Sequence, residues 1–462
     1  MHVRFDSLGS ALERTFHPAQ ILALSFAGAV ALGTALLMTP AAATGAPLGF
    51  VDALFTATSA TCVTGLTVVD TGTALTAFGQ GVVLALVQLG GLGIMTYSSV
   101  FLLALGRRIS FRGQALLEET LGRGKRTPVG RLVRHVVVFT LAIEAAGALV
   151  LTAAFAATLP PGEALYQGVF HAVSAFCNAG FSLHADSLTQ YRASWPVNLT
   201  VLALVVLGGL GFLVLEDLKD AWADRRGGRV VRLRLHSKVV LAGTAGLTAV
   251  GAAGIWLFER GNALAGLPGG EAFLACVFQA VTPRTAGFNT LSYASLTDTT
   301  LFLTILLMFV GASPGSCAGG IKITTAAVLG ALFRARLLGR RRVGLFRRTV
   351  PDATVARAVT IAVASFAFAT AAIFLLLASE VGAVPHGTSG SVFLEYFFEV
   401  VSAFGTVGLS TGTTGTLSPT GRLLITAVMF AGRLGPLTLA VALGMRDERE
   451  RVWYAEENLM VG

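Results

Sequence analysis

One short frame occurs four times in this chain, and few folds can accommodate it. It reads FTATSATCVTGL from Phe55, FHAVSAFCNAGF from Phe170, FQAVTPRTAGF from Phe278 and FEVVSAFGTVGL from Phe398. Each copy opens on phenylalanine, carries a hydroxyl residue part-way along (Ser59, Ser174, Thr282, Ser402) and reaches a glycine followed by Leu or Phe. The glycine comes ten residues after the phenylalanine in three copies and nine in the third. The four glycines, Gly65, Gly180, Gly287 and Gly408, lie 115, 107 and 121 residues apart. Recurrence at near-constant spacing marks an internal repeat. Each copy begins like a helix of barely three turns and then breaks at glycine, so it is too short to cross a bilayer, which takes about 20 residues.

Apolar runs of spanning length flank every copy: 19–40 and 76–106, 132–158 and 196–217, 238–258 and 300–333, 355–380 and 421–444. Only 13% of the 462 residues are charged and 54% are hydrophobic, against about 25% charged in soluble domains. The runs do not alternate as barrel strands do, and they stay apolar all round, unlike the helices of a soluble core. An all-α integral membrane protein follows.

Its orientation is read from charge. The net charge of +9 is concentrated in three stretches: Arg107 to Arg134, Lys219 to Lys238 and Arg334 to Arg357. The loops between them hold few basic residues, chiefly Arg192, Arg260 and Arg284. This positive-inside asymmetry puts the three stretches in the cytoplasm. They lack the interleaved base-reading residues of a nucleic-acid surface, so no nucleic-acid partner is expected. Arg4 and Arg14 precede the first apolar run, which has no secretory cleavage site and reads as a retained helix. The cysteines Cys62, Cys177, Cys276 and Cys317 have no zinc-site or disulfide spacing.

The basic stretches fall between repeats, so each short segment dips in from outside and returns. This predicts eight transmembrane helices and four re-entrant pore loops with fourfold pseudosymmetry around one pore. The expected division is a cytoplasmic N-terminus 1–18, repeats at 19–106, 132–218, 238–333 and 355–445, basic loops 107–131, 219–237 and 334–354, and a cytoplasmic C-terminus 446–462 with Arg446, Arg449 and Arg451.

Irregular backbone at membrane depth is tolerated where it lines a watery path or is buried in protein. The short helix ends with its negative dipole end inward, which favours a cation, and glycine lets carbonyls turn to the axis and replace an ion's hydration shell. The candidate filter is Thr61, Cys62, Val63, Thr64 and Gly65; Cys177, Asn178, Ala179 and Gly180; Arg284, Thr285, Ala286 and Gly287; and Gly405, Thr406, Val407 and Gly408. The carbonyls of Thr64, Gly65, Ala179, Gly180, Ala286, Gly287, Val407 and Gly408 are the expected ion ligands. These stretches contain no Asp or Glu, which suits a weakly hydrated monovalent cation better than Mg²⁺, a reluctant ion to dehydrate. Asp52 and Asp70 flank the first copy, either as mouth charges or as solvated loop carboxylates. Arg284 is expected to point off the axis and pair with a helix end or neighbouring carbonyls.

The second long run of the third repeat contains GASPGSCAGGIKITT, from Gly311. Gly311, Gly315, Gly319, Gly320 and Pro314 should break the helix in mid-membrane, with Ser313 and Ser316 among the polar groups of the break. Arg433, inside ITAVMFAGRLGPLTLA, is a charge that marks function at this depth, expected to bond the loop's carbonyls. Lys322 either does likewise or extends to the cytoplasm. Glu144 reads as a helix–helix contact.

These motifs resemble the Trk/Ktr/HKT superfamily of potassium transporters, built from four helix–pore–helix repeats, and among them the membrane subunit of bacterial Ktr systems. The resemblance covers almost the whole chain and rests on the four filters, the Gly311 stretch and AGRLGPLTL. It implies channel-like uptake of K⁺ across the bacterial inner membrane, with no covalent chemistry and no cofactor in this chain. It leaves open whether Na⁺ activates the uptake. It also implies a gate at 311–322 with Arg433, a homodimer, and a cytoplasmic nucleotide-binding ring of KtrA-type subunits. Cys62 and Cys317 depart from the family pattern, where hydroxyl residues are common. The alternative, a proton- or sodium-coupled carrier, usually shows a twofold inverted repeat and an intramembrane acid.

Overall fold

The computed structural model describes residues 18–107, 129–228, 230–231, 233–382, 385 and 392–435, with backbone alone for 18, 19, 94–107 and 129–132. The expected terminal segments 1–17 and 446–462, residues 108–128 of the first basic loop, and the end of the fourth repeat at 436–445 lie outside the described residues.

Helices dominate, in four successive sets. The first holds α1 (Pro18–Leu37), α2 (Phe50–Thr61) and α3 (Ala77–Arg107). The second holds α4 (Val129–Phe155), α5 (Pro161–Phe176), α6 (Trp195–Leu210) and α7 (Phe212–Arg226). The third holds α8 (Leu235–Glu259), α9 (Gly269–Val281), α10 (Asp298–Phe309) and α11 (Ile323–Leu337). The fourth holds α12 (Asp352–Glu380), α13 (Val392–Gly405) and α14 (Pro419–Leu434). A two-residue-strand hairpin, Gly344–Leu345 with Arg348–Thr349, joins α11 to α12.

Among the described residues, four helices are long and apolar enough to cross a membrane by themselves, and each is the opening helix of a set: α1, α4, α8 and α12. The second long helix of each set is less simple. The expected run 196–217 is not one helix, because the backbone turns by 101° between α6 and α7. Gly211 sits at the corner with φ +81°, a conformation that a side chain resists. The third set breaks between Phe309 and Ile323, close to the expected 311–322.

The short helices α2, α5, α9 and α13 lie inside. Their opening phenylalanines, Phe55, Phe170, Phe278 and Phe398, are at most 1% exposed, as are the residues after the glycines, Leu66, Phe181, Phe288 and Leu409. Without a hydrophobic force between helices in lipid, small residues at the contacts decide how closely they approach. Gly251 of α8 leaves no more than 3.0 Å between an added Cβ and Ala280 of α9.

The packing closes on itself. Besides its own set's short helix, α3 packs on α5, α6 on α9, α10 on α13, and α14 returns to α2. The order 1-2-3-4-1 is that of a ring around one axis.

Where the opening helices of the third and fourth sets end, acids fasten the turns. Glu259, the last residue of α8, accepts from Thr297 N (2.9 Å), Thr297 Oγ1 (2.8 Å) and Thr300 Oγ1 (2.5 Å) at the start of α10. Glu380 does the same at the start of α14, accepting from Ser418 N (3.1 Å) and Ser418 Oγ (2.5 Å). Each satisfies amide and hydroxyl donors that a helix start leaves open.

Candidate functional site

The four frames end in the same backbone gesture. Two residues before each glycine stands a non-glycine residue in the left-handed region: Val63 (φ 54°), Asn178 (58°), Thr285 (68°) and Thr406 (50°). The glycines follow with φ 95°, 69°, 76° and 89°. A left-handed residue with a side chain costs roughly 1–2 kcal/mol, and such strain concentrates at functional sites. Only three other non-glycine residues among those described adopt positive φ.

The amide before the glycine is tied back to the short helix in each copy. Thr64 N reaches Ser59 O (2.8 Å), Ala179 N reaches Ser174 O (2.7 Å) and Val407 N reaches Ser402 O (2.8 Å). In the third copy Ala286 N reaches Thr282 O (2.9 Å), four residues back rather than five, which absorbs the missing residue of that frame. The hydroxyl of the frame then secures the strand beyond. Ser59 Oγ accepts from Gly65 N (3.1 Å), Ser174 Oγ donates to Phe181 O (2.8 Å) and Thr282 Oγ1 donates to Phe288 O (2.5 Å). Ser402 Oγ has no partner.

The four strands meet. A Cβ added at Gly65 would run into Ala179 O, at Gly180 into Gly287 Cα (2.8 Å) and Ala286 O (3.1 Å), at Gly287 into Val407 O (2.7 Å), and at Gly408 into Thr64 O. Each glycine therefore faces the carbonyl preceding the next set's glycine, and the fourth faces the first. Glycine is required here for two reasons, positive φ and the absence of room. Side chains two residues earlier turn away from the ring. Val63 packs on Gly90, Asn178 on Gly208 and Thr406 on Gly319.

The four glycines also share the wall of one cavity of about 440 Å³ with Asp70, His184 and Asp186. Asp70 caps its own turn, accepting from Gly72 N (3.1 Å) and Thr73 Oγ1 (2.7 Å). Asp52 is instead ion-paired with Arg422 at 2.6 Å. Burial pushes His184 below the ordinary histidine value, against the pull of Asp186, Glu163 and Asp70.

Sequence reasoning passed over a further brace. The residue directly after the frame's phenylalanine is polar in every copy: Thr56, His171, Gln279 and Glu399. Three of them hold the strand that leaves the ring. His171 Nδ1 pairs with Gln167 O (2.8 Å), leaving Nε2 for Ser182 Oγ (3.1 Å). Gln279 Nε2 donates to Leu291 O (2.8 Å). Glu399, fully buried, accepts from Ser410 Oγ (2.9 Å) and from Thr414 Oγ1. Thr56 Oγ1 has no partner. One polar residue recurring at a fixed place in an apolar helix was the available signal.

Beside the ring lies the break between α10 and α11. Its two ends are joined, Gly311 N to Ile321 O (2.8 Å) and Ile323 N to Ala312 O (3.1 Å). Its middle reaches the second and fourth sets. Ser313 N donates to Gly209 O (3.1 Å), and Phe212 N donates to Gly315 O (3.3 Å). Gly319 packs on Thr406, and Gly320 approaches Gly405, where an added Cβ would come within 3.3 Å. Ser316 Oγ turns inward to Ser313 O (2.6 Å).

Arg433, 4% exposed, fastens this loop, donating Nη1 to Cys317 O and Nη2 to Gly90 O (2.9 Å). It thus joins the fourth set to the loop and to α3. Lys322 Nζ bonds Ala318 O and Gly319 O (3.3 Å), so of its two expected orientations the loop-facing one is found. Glu144 meets Gln88 Nε2 at 3.1 Å, a helix–helix contact as expected, and also the Cys177 thiol at 3.7 Å. Arg284 departs from expectation. It is 5% exposed, yet its guanidinium Nε has no partner, and no pairing with a helix end or carbonyl is found among the described residues. The contracted third turn places its amide on Val281 O (3.1 Å) and leaves the side chain packed rather than bonded.

A closed ring of glycines and carbonyls enclosed by apolar helices is the kind of arrangement that lines ion pores. The family model described as TrkH, cation transport protein, matches residues 11–454, and the chain belongs to that family. It is 38% identical over 449 residues to the Ktr system potassium uptake protein B of Bacillus subtilis (strain 168), covering 97% of both chains. To the protein of the same name from Vibrio alginolyticus it is 40% identical over 445 residues, 96% of this chain and 94% of the other. The potassium/sodium uptake protein NtpJ of Enterococcus hirae is 36% identical over 457 residues, 98% of each. In fold the chain matches the potassium transporter TrkH from Vibrio parahaemolyticus with a TM-score of 0.71, at 19% identity over 94% of this chain and 86% of that one.

Proposed function

We propose that this chain is the pore-forming subunit of a potassium uptake system, carrying K⁺ inward through the ring of Gly65, Gly180, Gly287 and Gly408. The observation that carries this reading is the closed sequence of glycine-to-carbonyl approaches from each set to the next, the fourth returning to the first. Carbonyls at such a ring replace a hydration shell without adding charge, which selects for a monovalent ion that surrenders its water readily. The braces behind the ring, Ser59, Ser174, Thr282, His171, Gln279 and Glu399, hold the carbonyls at fixed spacing. The outer cavity with Asp70 and Asp186 gathers cations before they enter.

The loop 310–322 acts as the gate. Its bonds to the second set and, through Arg433, to the fourth support a closed position against the ring, and Arg433 is the latch, holding Cys317 O while adding positive charge to the path. The four repeats form eight spans, with both termini and the basic loops on the cytoplasmic side of the inner membrane. A homodimer with one pore per chain, docked on a cytoplasmic nucleotide-binding ring, is the assembly proposed. K⁺ is the transported ion, with Na⁺ as a candidate activator.

Flux in proteoliposomes holding this chain tests the reading with K⁺, Rb⁺, Na⁺ and Li⁺ in turn. Uptake of K⁺ and Rb⁺ well above Na⁺ and Li⁺, driven by their own gradients, is expected. Flux that ignores these ions' differences and collapses with the proton gradient would establish a coupled carrier instead.

A further inference from the structure

One cysteine, Cys317, is bonded through its carbonyl to Arg433. Its thiol and that of Cys177 lie against one glycine. Cys177 closes the short helix of the second set, directly before the ring. Cys317 stands in the loop between α10 and α11. Both thiols face Gly91 of α3: a Cβ built there would lie 2.7 Å from Cys177 Sγ and 3.5 Å from Cys317 Sγ. Both residues are 1% exposed. No transport step described above uses either thiol.

We propose that Cys177 and Cys317 form a two-thiol site for a soft monovalent cation such as Cu⁺ or Ag⁺, and that its occupancy staples the loop to the filter. Sulfur ligands select soft ions over the K⁺, Na⁺ and Mg²⁺ that prefer oxygen. Two donors fit an ion of low coordination number, and no group of three or more His, Cys, Asp or Glu able to hold a metal exists among the described residues. Binding needs no oxidant. The cation displaces one proton from each thiol, and the two protons leave to water. The product, one M⁺ between two thiolates, carries one negative charge. Arg433, already bonded to the Cys317 carbonyl, supplies one positive charge beside it. The second Cys177 neighbours, Gln88 Oε1 at 3.5 Å and Glu144 Oε1 at 3.7 Å, are the acceptors the thiol gives up.

The functional consequence rests on the reading of 310–322 as the gate: an S–M–S link across Cys177 and Cys317 prevents the loop from leaving the filter.

The test uses the full chain in chloride-free buffer with Ag⁺ as the probe. Silver retained after desalting is measured by elemental analysis, and K⁺ flux is measured in parallel. About one tightly held Ag⁺ per chain is expected, with K⁺ flux arrested and restored by excess dithiothreitol. Cys177→Ala and Cys317→Ala should each lose the tight site, whereas Cys62→Ala and Cys276→Ala should keep it. Tight silver that survives either of the first two substitutions, or disappears with Cys62→Ala, would overturn the site. Should either alanine variant fail to fold, Cys177→Ser and Cys317→Ser give the same reading. Silver held by the pair with undiminished K⁺ flux would overturn the staple and the gate reading together, while leaving the binding site in place.

Discussion

The strands of the glycine ring and the second long helices come from the same four sets, and they treat their symmetry differently. At the ring all four copies place a left-handed residue, an ordinary one and a left-handed glycine in succession. The second helices share a motif too, a glycine followed three residues later by another breaker: Gly90 and Gly93, Gly208 and Gly211, Gly311 and Pro314, Gly432 and Gly435. Yet α3 runs straight through, the second set bends by 101°, the third opens into a loop, and α14 stops at Leu434 with Gly435 at φ 81°. The first glycine of the pair serves symmetry: Gly90 packs on Thr61 O, Gly208 on Phe176 O and Gly432 on Phe404 O. The second permits a break, and what the neighbours offer decides whether one occurs. On the proposed reading, ion coordination demands equivalence around an axis, while a gate needs one element unlike the rest.

The comparison is broken most severely at the ring. Gly408→Ala puts a Cβ against the Thr64 carbonyl at a backbone φ of 89°, and K⁺ uptake in proteoliposomes should fall by about a hundredfold or more. Arg433→Ala acts on the asymmetric element instead. It removes two charge-assisted hydrogen bonds, each worth about 1.5–3 kcal/mol, so resting K⁺ flux should rise by about tenfold with selectivity unchanged. Arg433→Lys, lacking the fork that reaches both Cys317 O and Gly90 O, should lie between.

A smaller effect separates the braces from the ring. Glu399→Ala leaves Ser410 and Thr414 without their common acceptor, and the preference for K⁺ over Na⁺ should drop by about tenfold, one or two neutral hydrogen bonds' worth. Glu399→Gln, which keeps an acceptor, should retain most of it. The smallest effect is at the mouth. Burial holds His184 neutral at pH 7. Acidification below the ordinary histidine range protonates it, adding positive charge beside Asp70 and Asp186 and lowering uptake. His184→Gln should flatten that decline in a pH series of initial rates by about twofold.

Much of the glycine ring's backbone was legible because its geometry is local. A glycine at a fixed distance from Phe and Ser states its backbone requirement without reference to the rest of the chain. The loop was legible for the same reason, since four glycines and a proline cannot continue a helix. The corner at Gly211 was not. Gly208, Gly209 and Gly211 look like ordinary helix-packing residues, and the bend depends on Phe212 N finding Gly315 O in another repeat. Asp52 was ambiguous because its partner, Arg422, lies 370 residues away. Arg284 was expected to be bonded because buried guanidinium groups usually are; the one-residue contraction of its turn, which sets its direction, is visible in the sequence only when the copies are counted residue by residue.

Anomalous scattering from Rb⁺ or Tl⁺ soaked into crystals of the full chain would locate the ion directly. A peak inside the ring, within carbonyl-coordination distance of Thr64, Ala179, Ala286 and Val407, is the expected result. A peak at Asp70 and Asp186 with none inside the ring would contradict a carbonyl filter and move selectivity to the acidic mouth.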